Sequence, residues 1–211
     1  YMRMEVLEPL NMTNSTYEQP LPSIKQKNVS VAFEKGGTMV VGKWHNYPEQ
    51  AAAGLWTTPT DLAKFVVNIH ETFHGRSERI LSQKMVIEMM TKDEFGHGLG
   101  PGLANEGDSL AYVHGGKNKG YTSFLYAYPV TGDAILVMSG SDGADPLIEE
   151  IQRAASEFHG WDFKRAVTLE TIKLPKEELK KRVGSYVYKP RDYNLNIILE
   201  NGQLVLLDPQ K

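Results

Sequence analysis

The sequence predicts an α+β chain: an antiparallel sheet flanked by helices, followed by a small antiparallel β segment. Three features point there. Residues 58–75 and 82–90 carry apolar side chains at helical spacing. Residues 110–138 switch to alternating strand patterns separated by turn residues. Residues 185–207 hold three further strand-like runs.

In chain order, residues 2–10 read as an amphipathic helical tail with Met4 and Leu7 apolar, closed by Pro9. Residues 11–19 are polar and turn-rich, and the sequons at Asn11, Asn14 and Asn28 read as chance matches in Asn/Ser/Thr-rich loops. Short strands are predicted at 29–33 and 38–44 around Gly36-Gly37. The clearest helix follows. Thr58 is its N-cap, Pro59 sits at the first helical position, and Asp61 falls three residues after the cap. Leu62, Phe65, Val66, Ile69 and Phe73 form its inward face, and Gly75 ends it. A second helix, capped by Ser82, is predicted to bury Met85, Val86, Met89 and Met90 as core filling.

The glycine-rich run 95–100 lacks the Gly-Lys-Ser/Thr ending of a phosphate loop and reads as a strand edge crossing other backbone. Strands are predicted at 110–114, 121–128 and 134–138, with Thr131-Gly132-Asp133 turning the last hairpin. Asp145 is expected to cap a helix with Pro146 at its first position and Ile148, Ile151, Ala155 and Phe158 inward. The pattern weakens after that. The predicted division is a first domain over 1–163, a linker over 164–174 and a β-rich module over 175–211, in which Asn201-Gly202 is a strong hairpin signal. Lys176 to Arg182 reads as a solvated helix face.

At 211 residues a chain can bury roughly 70% of its unfolded surface, enough for a core without staples. A formal charge of −3 argues against a nucleic-acid or anionic-membrane surface. The absence of cysteine removes disulfides, a thiolate nucleophile and a thiolate zinc site, and leaves the compartment open. No apolar run reaches membrane-spanning length. The sequence has no initiating methionine at position 1 and no signal-peptide pattern, so the chain is expected to begin partway along a longer one.

The stretch that organises the chain is Tyr112 to Ser123. A strand runs into His114-Gly115-Gly116, leaves through Lys117-Asn118-Lys119-Gly120, and a second strand returns beside it. Histidine ionises near neutral pH, and glycines there suit close approach of a ligand to backbone. This pattern fits one wall of a binding cleft and equally a hairpin with a solvent-facing histidine.

Four segments in this order resemble the serine β-lactamase and penicillin-recognising superfamily, in its esterase and peptidase branch related to class C β-lactamases. Pro9-Leu10-Asn11-Met12, with Thr16-Tyr17 after it, resembles the family's Pro-Leu-Gly-Met stretch, with Asn11 in the glycine's place. Ala53-Gly54-Leu55-Trp56-Thr57-Thr58-Pro59-Thr60-Asp61-Leu62 resembles its Gly-Gly-Leu-x-Ser-Thr-x-x-Asp-Leu helix start. Gly96-His97-Gly98-Leu99-Gly100 resembles its glycine-rich strand. His114-Gly115-Gly116, with Gly120-Tyr121-Thr122-Ser123 following, resembles the third catalytic motif, Lys-Thr-Gly or His-x-Gly. The resemblance covers residues 1 to about 160, and residues 175–211 resemble the start of a lipocalin-like β-domain.

The resemblance implies a serine hydrolase that forms an acyl-enzyme on an ester, amide or small peptide, a β-lactam among them, with no cofactor. It implies that the Lys117 backbone N–H is one oxyanion donor and that His114 holds a substrate carboxylate or tunes a tyrosine. Gly115, Gly116 and Asn118 would contact substrate. The family's nucleophile lies in Ser-x-x-Lys, helped by Tyr-x-Asn. Neither pattern occurs here, and the resemblance places both before Tyr1, on an N-terminal part of the same catalytic domain.

Two other readings stand beside this one. His70-Glu71-Thr72-Phe73-His74 matches His-Glu-x-x-His, with Glu94 at a chain distance that suits a third zinc ligand. Against it, the motif closes its helix, and Ile69 and Phe73 already fill the inward face. A non-catalytic binding protein of the same fold is the other reading. His45, His97 and His159 carry no partner pattern and are assigned no role.

Overall fold

A computed structural model describes residues 1–164, 173–188 and 193–207. The chain divides into two compact units, Tyr1–Arg165 and Ala166–Lys211. Most of the expected 164–174 linker (165–172) lies outside the described residues.

The first unit opens with a π-helical turn, Arg3–Leu7, whose Leu7 joins Leu10 and Met12 in a small core. Two one-turn helices follow, α1 (Ser23–Gln26) and α2 (Gln50–Ala53). The long helix α3 (Pro59–Phe73) then starts as the sequence predicts: Thr58 accepts a hydrogen bond from the Asp61 N–H, and Pro59 occupies the first turn. Helix α4 (Gln83–Met89) begins the same way, with Ser82 accepting from Met85 N–H.

Four antiparallel strands form the sheet in the order β1 (Gly102–Ala104), β2 (Ala111–Asn118), β3 (Tyr121–Ala127), β4 (Ala134–Ser139). Side chains alternate between its faces. Tyr112, Leu125 and Ala127 meet Val66 and Ile69 of α3, Val86 of α4 and Met90 just after it. Ala111, Tyr126 and Ile135 face the other way, onto Ala155 of α5 (Asp145–His159) with Trp161 and Phe163 beyond it. The sheet is thus covered on both faces, the α+β arrangement expected.

Several local expectations change. Residues 29–33 and 38–44 form no ladder; Phe33 makes single bridges to Met39 and Ser141. Positive φ at Gly42 and Lys43 interrupts the extended backbone a ladder needs, and Val41 points to solvent. The run 95–100 likewise contributes one bridge, His97 to Gly102. Strand β2 continues through Asn118, so the His-Gly-Gly-Lys run lies within the strand. Asp145 is the first residue of α5 and Ala144 its cap; no side chain caps that end.

The buried stripe of α5 is Ile148, Gln152 and Ser156, four residues apart, so Ile151 and Phe158 fall on an outward stripe and Phe158 is 86% exposed. Met85 is likewise turned out of the core, which Val86 and Met90 fill.

In the second unit, α6 (Lys176–Lys180) precedes β5 (Gly184–Tyr188), β6 (Tyr193–Glu200) and β7 (Gln203–Leu207), an antiparallel sheet in that order. Asn201 and Gly202 both have positive φ, the turn that matches strand twist.

Ile69 is fully buried between α3 and the sheet. Ile69→Ala should destabilise the fold by about 2–5 kcal/mol in urea unfolding, while Phe158→Ala should stay within about 0.5 kcal/mol of wild type.

Candidate functional site

The turn Lys119-Gly120 joins β2 to β3 and fixes where every group on β2 points. Asn118 pairs with Tyr121 across this two-residue turn, so these two residues exchange both backbone hydrogen bonds. By alternation His114 and Gly116 also direct their N–H and C=O groups at β3, and Gly115 and Lys117 direct theirs outward. Strand β1 covers the outward edge only opposite Ala111, Tyr112 and Val113. From His114 onward no strand among the described residues pairs with that edge, which is bare there.

A cleft of about 1250 Å³ lies against it, and His114, Gly115, Gly116, Lys117 and Asn118 all line it. The structure therefore brings the five sequence-predicted residues to one wall, though not in one role.

His114 stands on the α3 face of the strand and is exposed. Gly116 is on the same face, where a Cβ would meet the Ser123 hydroxyl at 2.5 Å and displace it. Lys117 points to the opposite face, where its ammonium pairs with Asp145 at 2.8 Å. Both members are more than half exposed, so the pair contributes at most about 1 kcal/mol. Its N–H stays on the bare edge. Asn118 turns back into the protein, its amide donating to the Ala53 carbonyl at 2.9 Å.

The turn itself is fixed by neighbours. Lys119 N–H donates to the Tyr47 hydroxyl and Gly120 N–H to Asp142, both at 2.8 Å. Gly120 has φ +76°, and a Cβ there would lie 2.5 Å from Ala32; no other residue fits. The Tyr121 hydroxyl donates to the Ser30 carbonyl at 2.5 Å, and burial, with Tyr47 nearby, pushes its pKa up to about 12.

Three lining groups had no role in the sequence reading: His45, Tyr47 and Trp56. Trp56 sits edge-on to Tyr121, with ring centroids 5.9 Å apart, and to Trp44 at 5.7 Å. Trp56 lies inside the segment matched to the family's helix start, so its placement was within reach. Nothing in sequence joins Tyr47 to Lys119, seventy-two residues on. Deeper in the cleft, Tyr112 is buried with its hydroxyl unpartnered among the described residues.

The opposite wall hangs on Asp61. This fully buried carboxylate accepts from Asn14 N–H (2.7 Å), the Ser15 hydroxyl (2.9 Å) and the Lys64 ammonium (2.7 Å). Burial pushes its pKa up, but Lys64, Ser15 and Asn14 together outweigh burial and hold it below the usual carboxylate range. The cluster ties the Asn11–Thr16 segment to the start of α3, beside Trp56, Thr57 and Thr58 of the cleft.

The His-Glu-x-x-His residues do other work. His70 Nδ1 donates to the Pro129 carbonyl at 2.9 Å, and Arg76 reaches its Nε2 at 2.8 Å. His74 Nε2 donates to the Val130 carbonyl at 2.8 Å. Arg76 pairs with Glu71 and holds its carboxyl below the ordinary range. Both rings thus bind the end of α3 to the β3–β4 hairpin. Glu94 is exposed on a separate loop, and no group of three metal-ligating side chains comes together among the described residues. Nor is any helix among them long and apolar enough to cross a membrane.

Comparison with known proteins agrees with this architecture. The Beta-lactamase family model matches residues 1–157, and the chain belongs to that family. Among solved structures it is similar to the octameric penicillin-binding protein homologue from Pyrococcus abyssi (22% identity, TM-score 0.59, covering 98% of this chain and 47% of that one). It is also similar to SurE (21%, TM-score 0.61, 99% and 50%). A third is the D-amino acid amidase from Ochrobactrum anthropi SV3 (22%, TM-score 0.50, 74% and 51%). The chain spans about half the length of these solved relatives. No curated protein matches it.

Removing the Asp61 charge tests the anchored wall. Asp61→Asn leaves three donors facing an amide, and should cost about 2–4 kcal/mol in chemical denaturation. Because the folded-state pKa lies below the ordinary value of 3.8, ionised Asp61 stabilises the fold fully above that pH. The contribution is lost as pH falls through the folded pKa. Stability measured from pH 6 downward should therefore drop less in Asp61→Asn than in wild type.

Proposed function

We propose that this chain supplies one wall of the active site of a serine hydrolase that forms an acyl-enzyme on an ester, amide or small peptide. The bare outward edge of β2, facing the cleft with His114, two glycines and the Lys117 N–H, carries the reading. Acyl transfer develops negative charge on the carbonyl oxygen, and a fixed backbone N–H directed into a cleft stabilises it without reorganisation. Lys117 N–H takes that role, with the nucleophile's own N–H as the second donor. Gly115 and Gly116 keep side chains away, so that an extended substrate lies along the edge. His114 stands one residue pair from the donor, on the cleft side. There it holds a substrate carboxylate or adjusts the protonation of a general base.

Family membership supports the assignment, and so does the order of the four motifs. The nucleophile comes from residues outside these 211, because no serine or threonine here has lysine three positions on. Asn118 serves as a strut rather than a substrate contact, since its amide is bonded to Ala53. The resemblance of residues 175–211 to the start of a lipocalin-like module fits this reading.

In the complete protein, a fluorophosphonate probe should label a serine outside this chain, and His114→Ala should lower kcat/KM at least tenfold, about 1.4 kcal/mol. A label on a serine within residues 1–211 would contradict the assignment of the nucleophile. Absence of any label would favour a non-catalytic binding protein, and unchanged kcat/KM would remove His114 from the site.

A further inference from the structure

Behind the cleft wall, on the α5 face of the sheet, lies a second cavity of about 720 Å³. Gly115, Lys117, Phe124 and Tyr126 line its sheet side; Gln152 and Phe163 line the other. Gly115 projects no side chain into it, and a Cβ placed there would meet nothing closer than the Ser123 carbonyl at 3.9 Å. Only the thickness of β2 separates this cavity from the cleft, because Gly115, Gly116 and Lys117 line both.

Gln152 is the unusual feature. It is 3% exposed, its Oε1 has no partner among the described residues, and no hydrogen bond of its Nε2 is formed there either. An amide buried in this way loses its bonds to water without replacing them, a loss of the kind that a bound group makes good. A primary amide offers one donor edge and one acceptor, and the complementary partner is another amide. The walls beside it are aromatic: Phe163 stacks on Tyr126 with centroids 3.8 Å apart and lies parallel to Phe124 at 5.9 Å. These faces favour a flat ring. Lys117 pairs with Asp145 and Lys164 with Glu149 at the rim, and Asp162 adds a further carboxylate, so that the lining disfavours an anion. The volume lies within the range of small-molecule sites.

We propose that this cavity is a second binding site, for a small aromatic carboxamide, with Gln152 pairing to the amide and Phe163 to the ring. The proposal does not depend on the assignment of the catalytic wall.

Benzamide titrated into 15N-labelled protein tests it. Saturable shifts are expected at the Gln152 side-chain amide and at the backbone amides of Gly115 and Phe163, with His45, Tyr47 and Trp56 unmoved. Gln152→Leu removes an unpartnered buried amide and should fold at least as well as wild type, yet bind at least tenfold more weakly. Phe163→Ala should weaken binding similarly, by removing the stacking face. Shifts confined to the cleft residues, no saturation up to the solubility limit, or wild-type affinity in both variants would each overturn the proposal.

Discussion

An antiparallel strand sends its side chains alternately to two faces and its backbone groups alternately to two edges, and the whole candidate site depends on how β2 uses both alternations. The tight turn at Lys119-Gly120 sets the phase. With Asn118 paired to Tyr121, the N–H of Lys117 must leave the sheet while its side chain crosses to the α5 face. A shift of one residue in that register would turn the Lys117 N–H into the sheet and swap the faces of His114 and Gly115. Gly120, locked against Ala32, makes such a shift costly.

The phase has a second support in the packing on either side. Tyr112 anchors the start of the strand in the α3 core, while Ala111 belongs to the α5 core. Beyond them β1 ends, and the strand passes from a fully paired position to a bare edge within a few residues. Helix α3 holds the other side of the cleft through Asp61, whose carboxylate gathers a loop N–H, a hydroxyl and an ammonium. The His70 and His74 contacts fix the far end of the same helix to the β3–β4 hairpin. Both ends of α3 are therefore tied to parts of the chain distant in sequence, one by a buried charge and the other by carbonyl contacts.

Much of this was legible in the sequence because local chemistry specified it. Thr58, Pro59 and Asp61 announce the start of α3, and Asn201-Gly202 announces its hairpin. The alternation around His114 places that residue on a strand. What was not legible came from partners far along the chain. Glycine-rich residues 29–44 look extended by composition, yet four positive φ values bend them into loops that support the β2–β3 turn. In α5 two stripes compete, and the buried one carries Gln152 and Ser156 while the more apolar one faces outward. Hydrophobic periodicity alone places Ile148 and Ala155 correctly and Ile151 and Phe158 on the wrong face. Asn118 adjoins the motif in sequence, and only its bond to Ala53 shows that its amide also braces the wall. Tyr47 reaches the cleft through folding that no short window encodes.

The most direct test of the half-site is a crystal structure of the complete protein carrying a phosphonate adduct on its nucleophile. The account predicts one adduct oxygen about 2.7–3.1 Å from the Lys117 backbone nitrogen, with the organic group along the bare edge of β2. An adduct whose oxygens are bound elsewhere, with the Lys117 N–H facing solvent or protein, would contradict it.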